Sequence, residues 1–116
     1  MNGICHFEIP CSDLNKAVKF YGDIFGWKSQ MIPEMDYAVF ETPAGTGGGF
    51  SKDARVSSEA GIMLYIEVED IPVIMKKIEA SGGKQIKEKT QISPEHGYFG
   101  LFADSEGNMV GLWSKS

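Results

Sequence analysis

The sequence predicts an α+β fold in which one strand–helix–strands unit is used twice. Three observations predict it. Residues 3–27, GICHFEIPCSDLNKAVKFYGDIFGW, read as a strand, an acidic turn and an amphipathic helix closed by glycine. Residues 64–84, LYIEVEDIPVIMKKIEASGGK, repeat that order, with Asp13 and Asp70 aligned at a spacing of 57. Short alternating segments bounded by Gly, Pro and Asn follow each helix, the pattern of strands ending in turns. A repeat of this period constrains the whole chain and outranks any single motif.

In the first strand, alternation puts Phe7, Ile9 and Cys11 on one side and His6 and Glu8 on the other. Asp13 stands where an N-cap carboxylate meets the free amides of a helix. Leu14, Ala17, Phe20, Tyr21, Ile24 and Phe25 then recur at three and four, one face of that helix, and Gly26 supplies its left-handed stop. KSQMIP is a second strand, ended by the turn Pro33-Glu34-Met35-Asp36. YAVFET is a third, with Tyr37, Val39 and Glu41 on one side and Ala38, Phe40 and Thr42 on the other. AGTGGGFSK carries glycines at 45, 47, 48 and 49. A phosphate cradle needs a helix after such a loop, and SKDARVSSEAG has no apolar helical period. The glycines are therefore read as a hairpin and a bare strand that leaves room for something opposite.

The second unit runs from a strand at Gly61–Glu69 to a helix at Ile71–Ser81, with Pro72 tolerated in the first turn. Leu64, Ile66 and Val68 face the helix; Met63, Tyr65 and Glu67 face away. The same spacing carries Leu14 to Ile71, Ala17 to Ile74, Tyr21 to Ile78 and Gly26 to Gly83. Strands follow at Lys84–Gln91, YFGLFAD and MVGLW, separated by the loop ISPEHG and the tight turn Ser105-Glu106-Gly107-Asn108. The expected organisation is one domain over 1–116, with module 1 at about 1–52, a small polar linker at about 53–60 and module 2 at about 61–116.

With 42% hydrophobic and 23% charged residues, the composition is that of a globular chain. A net charge of −5 without a basic stretch disfavours nucleic acid, which draws its affinity from phosphate neutralisation, and disfavours anionic membrane. No apolar run approaches the roughly 20 residues of a membrane span and no signal peptide opens the chain, so cytoplasm is the expected compartment. Cys5 and Cys11 lie about 20 Å apart on an extended strand, beyond disulfide reach, and are read as small buried hydrophobes.

By parity, the side of each sheet away from its helix carries His6, Glu8, Tyr37, Glu41, Tyr65, Glu67, Met109 and Trp113. That mixture is too apolar for bulk water and too polar for a sealed core. Two such curved sheets set edge to edge make a cup, and concave walls of aromatic and polar groups are the usual form of small-ligand sites.

The opening HFEIPCSDLNKAVKFYGDIFGW and the ending FADSEGNMVGLW, with YIEVEDI between them, resemble the vicinal oxygen chelate superfamily of glyoxalase I, bleomycin-resistance proteins and extradiol dioxygenases. The resemblance covers essentially the full length. It implies two tandem βαβββ modules forming a cup-shaped mixed sheet with helices on the outside, a ligand or metal site in the cup, and a homodimer. The metal positions it implies fall on His6, Gly48, Met63 and Gly111. One ligand in four survives, and a divalent cation needs three or four donors. The expectation is no metal, no other cofactor and no glyoxalase I activity.

His6 is a candidate general base, a vestigial ligand or a hydrogen-bonded wall histidine. Glu8 and Glu67 either share a proton, which raises one pKa, or are solvated rim carboxylates. Tyr37, Phe50, Met63, Tyr65, Met109 and Trp113 are candidate ligand-binding residues, the aromatic ones by stacking on a flat ligand; wall packing and partner contacts are the plainer alternatives. His96 either caps the mouth of the cup or is exposed. Two functions of different class follow. One is a metal-independent binder of a small aromatic or cationic molecule, its acidic wall favouring cations. The other is a lyase, isomerase or dioxygenase relative using Glu8, Glu67 or His6 as acid or base. A third is an interaction domain whose cup faces a partner subunit.

Overall fold

Both halves of the chain fold as βαβββ. In the computed structural model, residues 6–52 and 63–116 are described, and the chain divides into two units, Met1–Val56 and Ser57–Ser116. The first contains β1 (Phe7–Pro10), α1 (Leu14–Phe25), β2 (Lys28–Ile32), β3 (Tyr37–Glu41) and β4 (Gly48–Ser51). The second contains β5 (Tyr65–Glu67), α2 (Ile71–Ala80), β6 (Lys84–Ser93), β7 (Gly97–Ala103) and β8 (Met109–Ser114). Strand order is β1-β4-β3-β2 in one sheet and β5-β8-β7-β6 in the other. In each, the first strand runs parallel to the last and the rest pair antiparallel. The two sheets therefore have one topology.

The helices begin alike and end differently. The Asp13 carboxylate accepts from the Lys16 amide at 3.1 Å, and Asp70 accepts from the Val73 amide at 3.1 Å. Such caps each contribute about 1 kcal/mol. Gly26 closes α1 at φ +74, its N–H donating to the Gly22 carbonyl at 3.0 Å. In α2 the left-handed residue is Gly82, at φ +93, and not the Gly83 that the repeat spacing indicates. Gly26 follows the 12-residue α1 directly, whereas α2 spans 10 residues and Ser81 stands between its end and Gly82. Gly83 is glycine for another reason, since a Cβ there would stand 2.6 Å from Ile78 Cγ2 and 2.8 Å from the Ala103 carbonyl.

Each helix packs on one face of its own sheet, and the two interfaces differ in chemistry. Under α1 the core is aromatic: Tyr21 stacks on Trp27 at 4.8 Å between centroids, Trp27 on Phe40 at 4.7 Å, and Phe40 meets Phe50 at 4.7 Å. Under α2 it is mainly aliphatic, with Ile71, Met75, Ile78, Val110 and Leu112 all buried beside Phe102. Met75, not the Ile74 that the spacing equates with Ala17, is the buried residue of the middle turn.

Phe50 belongs to the first core. It is 0% exposed and lies against Tyr21 and Phe40, so its expected place on a ligand wall is corrected. Its burial contributes about 2–3 kcal/mol to folding. Cys11 is buried too, its amide donating to the Ser51 carbonyl at 3.1 Å. Cys5 and the expected linker lie outside the described residues.

Candidate functional site

The helix-free face of the first sheet is set by register. Glu8 pairs with Gly49, Gly49 with Val39, and Tyr37 with Ser51. Gly49 has no side chain, and the Tyr37 ring fills the volume a Cβ would take, as the aromatic rescue of a sheet glycine does. Leaning over Gly49, the ring carries its hydroxyl across β4 to β1. There Oη donates to Glu8 Oε2 at 2.9 Å and meets His6 Nε2 at 2.7 Å. The His6 and Tyr37 rings lie near parallel, 14° apart. Burial first, and then the hydrogen bond to Glu8 and its charge, push the Tyr37 phenol up to about 12. Tyr37 is therefore a fixed neutral donor at physiological pH and no base. Three residues expected separately, His6, Glu8 and Tyr37, form one array.

In the second unit, β5 lies beside β8 with Tyr65 paired to Gly111 and Glu67 to Trp113. The Tyr65 ring occupies the volume beside Gly111 and remains 52% exposed. Trp113 is held by its Nε1–H, which donates to the His96 carbonyl at 2.7 Å. A Cβ on Gly97, at φ +77, would stand 3.0 Å from Trp113 Cζ2, so the turn closes directly on the indole. His96 is exposed, and its ring Nδ1 meets Ser93 Oγ at 2.8 Å. Met63, Met109 and Trp113 are each partly exposed, and Glu67 is exposed.

Register also corrects one position. Aligning GGFSK with GLWSK equates Gly48 with Gly111. However, Gly111 is the partner of Tyr65, whose counterpart Glu8 pairs with Gly49. A Cβ on Gly48 would run into the Phe7 carbonyl and Phe40, on the core side. The four positions that the resemblance assigns to metal ligands are thus His6, Gly49, Met63 and Gly111. They supply one imidazole, whose Nε2 is engaged by Tyr37, one thioether and two glycines roofed by tyrosine rings. Such a set does not fit a divalent cation that takes several nitrogen or oxygen ligands. Among the described residues, no group of three or more His, Cys, Asp or Glu side chains could hold a metal ion.

Sequence reasoning placed Tyr37 on a wall and missed its bridging role. The signal was present in Gly49 opposite an aromatic strand, but it required the antiparallel register to be read. His96 acts on Trp113 through its backbone carbonyl and not through its imidazole, a role that no side-chain pattern signals.

Residues 4–43 match the family model of the bleomycin resistance protein-like N-terminal region. A glyoxylase-like domain-containing protein of Didymella fabae is 34% identical over 115 residues, covering 90% of this chain and 88% of the relative. Among solved structures, the genomically encoded fosfomycin resistance protein of Listeria monocytogenes superposes with a TM-score of 0.81 at 17% identity, over 100% of this chain and 95% of that one. A glyoxalase/bleomycin resistance protein/dioxygenase family enzyme of Burkholderia phytofirmans gives 0.76 at 16% identity, over 97% and 98%. With the curated relative, the matched N-terminal region and the shared fold in agreement, the chain belongs to the glyoxalase/bleomycin-resistance family of the vicinal oxygen chelate superfamily.

Proposed function

We propose that the chain binds a small aromatic or cationic molecule without a metal, on the helix-free faces of its sheets. The observation that carries this reading is the Tyr37 hydroxyl held between His6 and Glu8 above Gly49. Where the superfamily resemblance implies a metal ligand, this chain builds a hydrogen-bonded array. Few convergent polar groups beside apolar surface are what a small-ligand site needs. Tyr65 and Trp113 offer ring faces for stacking, and Met63 and Met109 offer adaptable apolar contact.

Thermal shift and calorimetric titration against a panel of flat aromatic cations test the reading. The expected result is saturable stabilisation by at least one panel member, unchanged by chelator treatment of the protein. Stabilisation that appears only with added divalent metal defeats it. Elemental analysis of protein taken from cells is the companion measurement, expected to find no stoichiometric nickel, zinc, iron or manganese. The resemblance also implies a homodimer, which light scattering reads directly as twice the 12.7 kDa chain mass.

A second reading, an enzyme that moves a proton, is favoured by the same array. An ionisable group oriented by a second and third group is the general form of an activated base. Turnover that is lost in both His6→Ala and Glu8→Gln, with binding retained, would select it.

A further inference from the structure

We infer that the helix-free face of the first sheet selects ligands bearing a cationic, hydrogen-bond-donating head and rejects anions, with Tyr37 as the residue that sets this preference. The inference rests on the small-molecule reading above and assigns its ligand class. It follows from counting protons in the array. A tyrosine hydroxyl carries one proton and can accept through its oxygen. The Tyr37 proton goes to Glu8 Oε2. At 2.7 Å the only bond left between Tyr37 Oη and His6 is one in which Nε2–H donates. In the neutral ring, donation from Nε2 makes Nδ1 the acceptor.

With the ring neutral, every side-chain donor of the array is thereby spent internally. What remains to meet a ligand is His6 Nδ1 and Glu8 Oε1, both acceptors, and the carboxylate brings a negative charge. Glu41, on the same side of β3 and exposed, adds a second one. Val39, 36% exposed beside the Tyr37 ring, offers apolar surface to the body of the ligand. An amidinium or a protonated arylalkylamine meets both acceptors and is attracted by both charges. A carboxylate or phosphonate meets no donor and is repelled. Because Nε2 and Oε2 are both tied to one hydroxyl, the two acceptors are fixed relative to each other. Tyr37 is thus a positioning residue: removing its hydroxyl frees the His6 ring to present either nitrogen.

The test is heteronuclear NMR on the intact protein with benzamidinium, benzyl alcohol and benzoate as matched probes. The ring nitrogens of His6 should report the Nε2–H tautomer in the free protein. Benzamidinium should shift the His6, Glu8 and Val39 signals saturably, and benzoate should bind at least about tenfold more weakly, the consequence of one charge-assisted hydrogen bond lost. Tyr37→Phe keeps the ring over Gly49 and should abolish the tautomer preference and cut the discrimination. Tyr98→Phe, a hydroxyl removed from the other unit, should leave both unchanged. Benzoate binding at these residues as tightly as benzamidinium overturns the inference and leaves the small-molecule reading standing. A predominant Nδ1–H tautomer in the free protein also overturns it. Binding by none of the three probes overturns both.

Discussion

The two helix-free faces share a backbone and differ in what fills it. Both sheets place a glycine opposite the first strand, Gly49 opposite Glu8 and Gly111 opposite Tyr65, and both fill the vacancy with a tyrosine ring. In the first unit the ring comes from β3, on the far side of the glycine strand, and its hydroxyl is anchored between His6 and Glu8. In the second it comes from β5, the neighbouring strand, and stays half exposed, with no bond from its hydroxyl to any described residue. The same glycine position is thus filled by two different routes. One filler makes a polar array with His6 and Glu8; the other adds an exposed ring to the face that carries Trp113. The difference teaches that the site chemistry lives in the filler and not in the fold.

The largest expected effect tests which side of β4 the fillers occupy. Phe50→Ala should destabilise the protein by about 3–5 kcal/mol, the usual cost of emptying a buried aromatic site, because Phe50 is locked among Tyr21 and Phe40. Urea unfolding measures it. A loss under about 1 kcal/mol, with ligand binding impaired instead, would return Phe50 to the ligand face and undo the register argument.

Next in size is a pair of matched substitutions. Gly49→Ala forces the Tyr37 ring out of place and with it both hydrogen bonds, so overpacking of about 1–3 kcal/mol is expected. Gly111→Ala meets a ring that is free to swing toward solvent, and its cost should stay under about 1 kcal/mol. Adding Tyr37→Ala to Gly49→Ala should recover most of the loss, since the two positions are in contact and do not add. Equal costs at the two glycines would erase the contrast between anchored and free fillers.

Much of this scaffold was legible in the sequence, and the reason is local. Asp13, Gly26 and the three-four spacing of Leu14, Ala17 and Tyr21 act within one helix, where periodicity and capping suffice. The side of the sheet on which His6 and Glu8 lie followed from alternation alone. What escaped depended on contacts between segments. The likeness of GGFSK to GLWSK points to Gly48, one residue from Gly49; such a slip reverses a side chain's face, and only pairing with Glu8 resolves it. Phe50 moved into the core by that same step. The left-handed residue after α2 is Gly82 rather than Gly83, because Gly83 is kept for its close approach to Ile78 and Ala103, a contact the repeat spacing does not carry. Tyr37 shows the limit most clearly: its ring spans a strand to reach its partners, and no spacing in sequence encodes that reach.

The smallest effect is the most specific to the anchored filler. The folded protein holds the Tyr37 phenol neutral up to about 12, whereas an unfolded chain releases that proton near about 10. Between these values the folded state binds the proton that the unfolded state has lost, so stability falls as pH rises. The contribution from Tyr37 is complete below about pH 10, drains away through about pH 12, and is absent above. Tyr37→Phe carries no such proton, so the difference in urea midpoint between about pH 9 and pH 11 should shrink in that variant. Ultraviolet titration at the phenolate band, taken as the difference between wild type and Tyr37→Phe, gives the direct reading, with the missing phenol one that ionises at about 12. If Tyr37→Phe leaves the alkaline slope unchanged, the hydroxyl is not held by Glu8, and the two faces differ in composition without differing in anchorage.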